Sequence, residues 1–391
     1  MDPTITYFPV GNGDTSLITL SDRTTILIDC NLSQDLEDEE GEARYDVRAH
    51  LLDATVLKRD GDGRPHLNAF ILTHPDQDHL LGLARAFYLG DPAKYGEEDA
   101  EEDRIIIDEL WFAPRIFSPH EKDLCEEAKA YRKEAKRRIS VYRTGTAASN
   151  KAGNRLRVIG YSDSEELEGL DAVLTVPGKT LSRINGGDKT DFSFFVHAPR
   201  KKDTDSKWSE RNDTSIILQA RFAVDGEADA ALAFFGGDAG CAIWEQVVEI
   251  SDDEHLAWDL FLAPHHCSWT FFREPDTSND DSKGKDDEDK PSQTILSLLR
   301  TKRKGAWVVA SSKPVKDDDD NPPHHKAAEV YRDEVGTDHF LCTMEHPDEE
   351  APQPITFAMS ANGPIKEESE DDDAAKAAGV AGVFVKPAKY G

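Results

Sequence analysis

Two histidines and two aspartates lie within six positions of one another, directly after an apolar run. His74, Asp76, Asp78 and His79 form the pattern H-x-D-x-D-H in "LTHPDQDHLLGL". Ionisable groups packed this densely repel and desolvate one another unless a cation lies between them. Imidazole nitrogens and carboxylate oxygens are ligands of Zn²⁺, Mn²⁺ and Fe. The pattern therefore predicts a metal site; the alternative is a helix N-cap at Asp76 or Asp78 beside ordinary surface histidines.

Two later segments have the same context, with polar groups placed directly after a buried strand. "FFGGDAG" places Asp238 after an apolar strand and two glycines, and "LFLAPHHCS" places His265 and His266 after another. In layered α/β folds, groups that follow such strands gather at one edge of the sheet. We therefore expect these three residues to join the H-x-D-x-D-H cluster.

Short β-rich segments, later alternating with helices, are expected to position these groups. Early strands are predicted for "ITYFPV", "TSLITL", "TTILID" and "LNAFILTH", and later ones near 156–161, 171–176 and 192–198 and in "TSIILQARF", "AALAFFGGD", "WDLFLAPHH", "AWVVASS", "DHFLCTM" and "PITFAMS". Helices are predicted over 45–58, 78–89, 119–138 and near 325–335, so the cluster falls at a strand-to-helix turn. Strands that outnumber helices early and alternate with them later favour two sheets between helices over one parallel sheet.

The composition indicates a soluble cytoplasmic protein. No stretch approaches the ~18 apolar residues of a membrane span, and the N-terminus "MDPTITYFPV" lacks the pattern of a signal peptide. The five cysteines are scattered and show no C-x-x-C spacing, which is typical of a reducing compartment.

The net charge of −31 is concentrated in a few segments. Windows 35–46, 97–103, 276–290, 317–320 and 367–373 hold 30 of the 77 acidic residues and 4 of the 46 Lys and Arg, so the rest of the chain nets only −5. Such runs are typical of solvated surface insertions. We expect one domain over residues 1–365, with acidic insertions near 35–46, 97–103, 276–290 and 317–320 that could contact partner proteins, followed by an acidic segment or tail over 366–391.

The motifs, in their order, resemble those of the metallo-β-lactamase fold superfamily. Within it, the chain is most similar to the hydrolase domain of the ComEC competence protein and its free-standing relatives. The similarity is carried by "YFPVGNGDTSLI", "ILIDC", "THPDQDHLLG", "RNDTSIIL", "GGDA", "APHHCS", and "WVVASS" followed by "PPHHKAAEVY", and runs from about residue 5 to 365. Asp76 stands where most of the superfamily has a second His, as is typical of the ComEC subgroup. The resemblance implies an αββα sandwich, with two mixed β-sheets flanked by helices.

The resemblance also implies a centre of one or two divalent ions, Zn or Mn. His74 and Asp76 would hold a first ion. The second ion would be held by Asp78, His79 and one of His265 and His266, with Asp238 bridging the two. In such sites metal-activated water attacks an ester-like centre. Asp14 and Asp29 would orient the ligands from behind.

The chain departs from the superfamily's pattern at several positions. A third-motif His is absent, so Asn212 or Asp213 fills in, or the first ion site is weak or empty. Cys267 in "HHCS" is interpreted as a packing residue, with metal ligation as the alternative. His197 is interpreted as structural. Besides Asp78 and Asp238, the catalytic candidates are His324 and His325, which could contact a leaving group or phosphate.

The resemblance leads to a first hypothesis of a metal-dependent phosphodiesterase or nuclease. The basic runs 129–143 and 300–304 could line a track for a polyanion, with tyrosines for stacking. The alternative is a solvated amphipathic helix whose bases pair with the acids of "EKDLCEE". A second hypothesis is hydrolysis of an amide, thioester or lactone on the same metal core. A third is a metal-binding interaction subunit.

Overall fold

The structure is a computed structural model that describes residues 1–32, 45–117, 124–160, 167–200, 212–273, 290–318 and 320–368. Two large mixed sheets pack face to face, and helices cover their outer faces. The predicted α/β architecture of two mixed sheets flanked by helices is confirmed.

The first sheet combines both ends of the described chain. Its strands are β1 (Thr4–Tyr7), β2 (Ser16–Thr19), β3 (Thr25–Ile28), β4 (Lys58–Arg59), β5 (Pro65–Ile71), β6 (Phe87–Tyr88), β7 (Ile105–Phe112), β8 (Arg155–Ile159), β9 (Leu174–Thr175), β19 (Ile355–Ser360) and β20 (Gly363–Lys366). The order is β20-β19-β1-β2-β3-β5-β7-β8-β9, with β4 paired to β5 and β6 to β7. Pairing is antiparallel from β20 to β3 and parallel from β3 to β9.

The second sheet lies between these segments in the sequence. Its strands are β10 (Thr180–Leu181), β13 (Phe192–Ala198), β14 (Ile217–Val224), β15 (Glu227–Phe235), β16 (Trp258–Leu262), β17 (Lys302–Ala310) and β18 (Phe340–Cys342), in that order across the sheet. The pairs are antiparallel up to β15 and parallel from β15 to β18. A separate hairpin joins β11 (Arg183–Ile184) and β12 (Gly187–Asp188).

The helices divide between the two outer faces. They are α1 (Val47–Leu52), α2 (Leu83–Ala86), α3 (Glu97–Glu101), α4 (Glu126–Arg143), α5 (Cys241–Ile250), α6 (Asp253–Leu256), α7 (Gln293–Arg300) and α8 (His325–Val335). Leu51, Leu83 and Tyr131 of α1, α2 and α4 pack on the first sheet. Trp244 and Tyr331 of α5 and α8 pack on the second.

The inner faces of the two sheets form one apolar core. Ile28 and Ile71 of the first sheet contribute to the same cluster as Phe235 and Leu262 of the second. These residues end the strands that precede the polar groups of interest, so burial of the strand ends fixes where those groups emerge. The free energy of burying each such side chain is about 1.5–3 kcal/mol.

Three predicted helices differ from the structure. The helix expected over 45–58 spans only Val47–Leu52, and the one expected over 119–138 begins at Glu126 and extends to Arg143. The helix expected over 78–89 is broken by Gly82, which has φ +77° and would place a Cβ 2.3 Å from the Leu32 carbonyl oxygen. That left-handed position ends the 3₁₀ turn around His79 and restarts the chain as α2.

The acidic windows fall partly outside the described residues. Residues 33–44, 274–289 and 369–391 are not described, so the insertions at 35–46 and 276–290 and the 366–391 tail stay predictions. Window 97–103, expected as a loop, contains the short helix α3, and none of α3 is buried. No helix in the described part of the chain is long and apolar enough to cross a membrane.

Candidate metal centre

The predicted polar groups meet at one edge of the sandwich, where strands of both sheets end. Asp29 follows β3 and His74 follows β5 in the first sheet. Asp238 follows β15, and His265 and His266 follow β16, in the second. Since β3, β5, β15 and β16 belong to the parallel halves of their sheets, their carboxyl ends carry these groups to the same place.

The carboxylate of Asp238 lies at the centre of this group. Its Oδ1 is 3.1 Å from His79 Nε2 and 3.4 Å from His266 Nε2. Its Oδ2 is 3.4 Å from His74 Nε2 and 3.6 Å from His265 Nε2. Four histidines therefore approach one carboxylate, two at each oxygen.

The two aspartates of the motif lie on opposite sides of the Asp238 carboxylate. Asp78 Oδ2 lies 3.2 Å from His266 Nε2, on the Oδ1 side of Asp238. Asp76 Oδ2 lies 3.9 Å from His74 Nε2, on the Oδ2 side. Ligand atoms around one small cation are ~3–4 Å apart, because metal–ligand bonds are ~2.1 Å long. The observed spacings are those of ligand atoms around a cation.

Several buried atoms at this centre make no hydrogen bond. They are Asp14 Oδ1, His74 Nε2, His79 Nε2, Asp238 Oδ1 and His266 Nε2. A buried polar atom without a partner costs ~1–3 kcal/mol of folding free energy. Several such atoms in one place therefore indicate a position for a cation between them. One atom each of Asp14, His79, Asp238 and His266 lies within 4.8 Å of the others, a spacing able to hold a metal ion.

Buried hydrogen bonds fix the orientation of the His79 ring. His79 Nδ1 is 2.8 Å from Asp29 Oδ2, and Asp29 also accepts from Thr73 N at 2.7 Å and Thr73 Oγ1 at 2.5 Å. Because a carboxylate only accepts, neutral His79 must carry its proton on Nδ1 and present a lone pair on Nε2 to Asp238. Asp29 therefore contacts the His79 ring on the side away from Asp238, and its role as a support for a metal ligand stays a prediction.

His266 is oriented in the same way from a different element. Its Nδ1 is 3.2 Å from the Ser311 carbonyl oxygen, which can only accept. Asp14 Oδ1 lies 3.4 Å from the same nitrogen. Nε2 of His266 is therefore the atom that faces Asp78 and Asp238, and Asp14 lies behind the ring.

A left-handed turn presents the two successive histidines. His265, His266 and Cys267 have φ of 50°, 53° and 66°. For residues with a side chain this conformation costs ~1–2 kcal/mol each, and it persists where the surroundings hold it. The His265 N–H donates to the Gly237 carbonyl at 3.1 Å, and the Cys267 carbonyl accepts from His324 N at 3.0 Å. The turn lets both rings reach Asp238.

Charges shift the pKa values at the centre in opposite directions. Burial lowers the pKa of His266, but Asp238, Asp14 and Asp78 outweigh it and raise the value to about 10. The pKa of His79 is likewise raised well above its usual range, because Asp238 and Asp29 outweigh burial. Burial raises the pKa of Asp78, but His266 and His79 lower it to about 2. Without a cation, protons on the two rings stabilise the carboxylates, and a divalent ion must displace them.

Two glycines allow the segments to approach. Gly237, at φ +49°, would place a Cβ 2.6 Å from Thr73 Oγ1 and 3.3 Å from His74 Nδ1. Gly13, at φ +152°, would place one 2.2 Å from Asn31 Nδ2 and 2.7 Å from the Asp78 carbonyl oxygen. Both positions therefore require glycine for the motif to meet Asp238 and Asp14.

The remaining predicted residues lie around or away from this centre. His324 caps α8 and packs its ring 5.5 Å from that of Trp269, while His325 Nε2 is 3.3 Å from Glu329 on the same helix. The turn Asn212–Thr214 precedes Ile216, whose N–H donates to the Thr73 carbonyl at 3.0 Å. The catalytic roles of His324 and His325 and the role of Asn212 stay predictions.

Two residues interpreted as structural are buried in the core. Cys267 has no exposed surface and burial raises its pKa, with Cys342 adding to the shift. His197 is buried among aromatic rings, and burial, with the charges of His255 and Arg200, lowers its pKa to about 3. Each has the environment of a packing residue.

The basic runs are largely occupied by internal contacts. In α4, Tyr131 is fully buried and donates to the Trp111 carbonyl at 2.6 Å, and buried Arg138 pairs with Glu134 at 2.7 Å. In the 300–304 run, Arg300 and Lys302 both pair with Glu334 at 3.1 Å. These contacts favour the amphipathic-helix interpretation of 129–143 over a track with stacking tyrosines.

Residues outside the predicted set also position the site. Thr73 and Ser311 hold Asp29 and His266, and Thr270 Oγ1 lies 3.1 Å from His265 Nδ1. Thr73 has a visible signal, since it directly precedes the motif. Ser311 acts through a tertiary contact, and Thr270 lies in the turn that follows His265.

Comparison with known proteins assigns no family. No family model matches the chain, and no curated protein matches it. Among solved structures, the chain is similar to the crystal structure of human tRNase Z, short form (ELAC1), with a TM-score of 0.33 and 10% identity over 78% of this chain and 91% of that one. At that TM-score and identity, the similarity assigns neither a family nor a substrate to this chain.

Proposed function

We propose that the protein is a metal-dependent hydrolase of phosphodiesters. The observation that carries the proposal is the convergence of buried nitrogen and oxygen atoms without hydrogen bonds on the two oxygens of Asp238. Asp78, His79, His266 and Asp238 would hold a divalent ion through Asp78 Oδ2, His79 Nε2, His266 Nε2 and Asp238 Oδ1. When bound, such an ion polarises a phosphoryl or carbonyl oxygen and activates water near neutral pH.

Exposure of the cluster supports an enzymatic role over a structural one. Structural metal sites are closed by their ligands, whereas catalytic sites keep a position open. The side chain of Asp78 is 38% exposed and that of His265 is 24% exposed, while His79 and His266 are buried. The cluster is therefore open on one side, where a substrate can reach the ligands.

Simple roles can be assigned to the side chains around the proposed ion. Asp29 and Ser311 hold the His79 and His266 rings so that their Nε2 atoms face Asp238. Exposed Asp78, held in the ionised form by a lowered pKa, can accept a proton or a hydrogen bond at the open side. Beside His74, the side chains of Pro75, Phe112 and Arg115 line a small cleft.

The phosphodiester class rests on the motif resemblance and on the mixed set of imidazole and carboxylate groups on both oxygens of Asp238, since paired metal sites serve phosphatases and nucleases. Internal contacts occupy Arg137, Arg138 and Tyr131 of α4, which leaves only part of that helix's positive charge facing solvent. A small phosphodiester or the end of a nucleic acid therefore fits this surface better than a long polyanion laid along α4.

A substrate panel tests the proposal. Purified protein loaded with Mn²⁺ or Zn²⁺ is assayed on bis-p-nitrophenyl phosphate, single-stranded DNA, RNA, a lactone and a thioester. We expect hydrolysis of phosphodiesters, lost in Asp238→Asn and kept in Asp259→Asn, which changes a buried aspartate of the same sheet that pairs with Arg303. Metal binding without hydrolysis of any substrate would contradict the proposal and favour an interaction subunit.

A further inference from the structure

The Oδ2 side of Asp238 has its own set of potential ligands. His74 Nε2 and His265 Nε2 approach this oxygen at 3.4 and 3.6 Å, and Asp76 lies 3.9 Å from His74. None of these atoms belongs to the set proposed above for the Oδ1 side. Whether His265 can serve as a ligand depends on which ring nitrogen carries its proton.

A chain of hydrogen bonds determines which ring nitrogen of His265 carries the proton. The Trp269 N–H, which can only donate, is 3.0 Å from Asn321 Oδ1, so this atom of Asn321 is the oxygen. Ser268 Oγ is 2.7 Å from the same oxygen and must donate its hydrogen to it. The chain therefore begins at a backbone group whose role is unambiguous.

The next links follow because each hydroxyl has one hydrogen. Ser268 Oγ lies 2.9 Å from Thr270 Oγ1, and since its hydrogen is already donated, Thr270 must donate here. Thr270 Oγ1 can then only accept at its 3.1 Å contact with His265 Nδ1. His265 thus carries a proton on Nδ1, and in the neutral ring Nε2 presents a lone pair towards Asp238 Oδ2.

We propose that His265, oriented by the Asn321–Ser268–Thr270 chain, is a further ligand of the ion on the Oδ2 side of Asp238, which the motif resemblance implies for His74 and Asp76. His74 and Asp76 would be the other ligands, and Asp238 would join the two sites. This inference rests on the proposed function. It assigns successive histidines to different sites: His266 to the Oδ1 side and His265 to the Oδ2 side. The left-handed turn makes that division, because it allows neighbouring rings to reach different oxygens of one carboxylate.

The fourth ligand also explains how the motif works without a third-motif His. His74 and Asp76 with one oxygen of Asp238 make three protein ligands, and His265 makes four. Hydrogen bonds from an asparagine and two hydroxyl groups behind a histidine are the kind of support that orients metal ligands. Asn321 directly follows the acidic run 317–320, so that loop contributes to the centre through a side-chain carbonyl rather than through its charges.

Metal titration of the full chain tests the inference. Metal-free protein is titrated with Mn²⁺ alone, and bound ions are counted by elemental analysis and electron paramagnetic resonance. We expect two ions in wild type, with the magnetic coupling of a close pair, and one uncoupled ion in His265→Asn. Asparagine is chosen because it tolerates the left-handed backbone at this position.

Thr270→Val tests the hydrogen-bond chain without changing a ligand. It removes the acceptor for His265 Nδ1, and we expect the affinity for the ion on the Oδ2 side of Asp238 to fall about 10–100-fold, with Thr270→Ser restoring it. Thr301→Val is the matched control: it removes a hydroxyl that donates to the Leu256 carbonyl at the opposite end of β17, and it should keep both ions.

The outcomes separate this inference from the proposed function. One ion in wild type, lost in His79→Ala and kept in His265→Asn, would overturn the second site and leave the proposed function standing. Two ions in His265→Asn, or unchanged affinities in Thr270→Val, would overturn the role of His265. A protein that binds no ion would contradict both proposals.

Discussion

His79 Nδ1 lies 2.8 Å from Asp29 Oδ2, and neither side chain has any exposed surface. Asp29 reaches this position because its backbone is left-handed, with φ of 57° at the end of β3. The carboxylate thereby turns back towards the segment that follows β5. A residue that touches no open surface thus determines which nitrogen of His79 faces the metal centre.

Asp29→Asn is expected to weaken metal binding while the cluster residues stay in place. An amide nitrogen would face donors from Thr73 or His79, so His79 would lose its orientation. We expect about 10–100-fold lower Mn²⁺ affinity, measured by titration against a competing chelator. Asp22→Asn, at a half-exposed carboxylate that pairs with Lys189, should change affinity little. Equal affinities for the two variants would contradict the role of Asp29.

Removing metal should destabilise the fold, because the carboxylates and rings then face one another without a cation. A ligand present at 100 times its Kd stabilises a protein by about 2.7 kcal/mol. We expect a higher Tm with Mn²⁺ than with EDTA in wild type, and almost no difference in Asp238→Asn. A metal-independent wild-type Tm, with Mn²⁺ far above the micromolar range, would show that no ion binds here.

Gly237→Ala should displace Asp238 from the motif. The new Cβ would lie 2.6 Å from Thr73 Oγ1 and 2.9 Å from Thr73 Cβ. Gly226→Ala is the matched control, since Gly226 has φ +88° and nothing within 4 Å of the added atom. In both variants the left-handed alanine should lower the free energy of unfolding by ~1–2 kcal/mol, as measured by urea unfolding. Only Gly237→Ala should also lose metal affinity; a similar loss in both would rule out the steric explanation.

Asp76→His should change metal preference. Asp76 lies beside His74 in the group on the Oδ2 side, and carboxylate ligands favour Mn²⁺ more than imidazole ligands do. We expect wild-type phosphodiester hydrolysis to respond more to Mn²⁺ than to Zn²⁺, and Asp76→His to shift towards Zn²⁺ in both activity and stoichiometry. Asp62→His, at a well-exposed aspartate, should not. An unchanged preference in Asp76→His would place Asp76 outside the metal coordination.

A pH-dependent contribution to stability is expected from His66, far from the centre. Its Nδ1 lies 2.6 Å from Asp108 and its Nε2 3.2 Å from Asp60. Burial lowers the pKa of His66, but hydrogen bonds and charges from Asp108 and Asp60 raise it above its usual value. Because the pKa of His66 is higher in the folded state than the ~6.5 of the unfolded chain, its protonation stabilises the folded protein. This stabilisation is complete below pH ~6.5 and is lost as the pH rises through the folded-state pKa.

His66→Gln should therefore cost more free energy of unfolding at pH 6 than at pH 9. Urea titrations of wild type and variant at both pH values give the difference directly, and pH effects of other groups cancel in that comparison. A variant whose cost is the same at both values would show that His66 is neutral in the folded protein at pH 6.

The sequence predicted most of the longer strands and which polar residues follow them, because both signals are local. The apolar run before His74 and the repeated placement of polar groups after strands identify the motif, Asp238 and the histidine pair. The division of His265 and His266 could not be predicted, since it depends on a run of left-handed residues without glycine. Similarly, nothing in "DHLLGLARAFYL" indicates that the Leu32 carbonyl approaches Gly82 so closely that the predicted helix is broken.

The roles of Ser311, Thr270 and Asn321 also required the structure. Ser311 and Asn321 lie after β17, whereas the histidines that they support follow β16. Thr270 follows the same strand as His265, but only the fold of that turn brings its hydroxyl behind the ring. No periodicity in the sequence reports which hydroxyl will lie behind which ring. The basic helix shows the converse case: its charge pattern was visible, but the burial of Arg138 and Tyr131 was decided by packing against β7.

The potential ligands belong to both sheets: His74 and His79 to the first, Asp238, His265 and His266 to the second. A bound ion is therefore a cross-link between the two layers at one edge of the sandwich. Segments so far apart in the chain come together late in folding, since long loops must close first. An interaction formed after the folding transition state leaves the folding rate nearly unchanged and slows unfolding. A bound ion would therefore stabilise the sandwich by slowing its unfolding, so the lifetime of the docked layers would lengthen together with the rise in Tm.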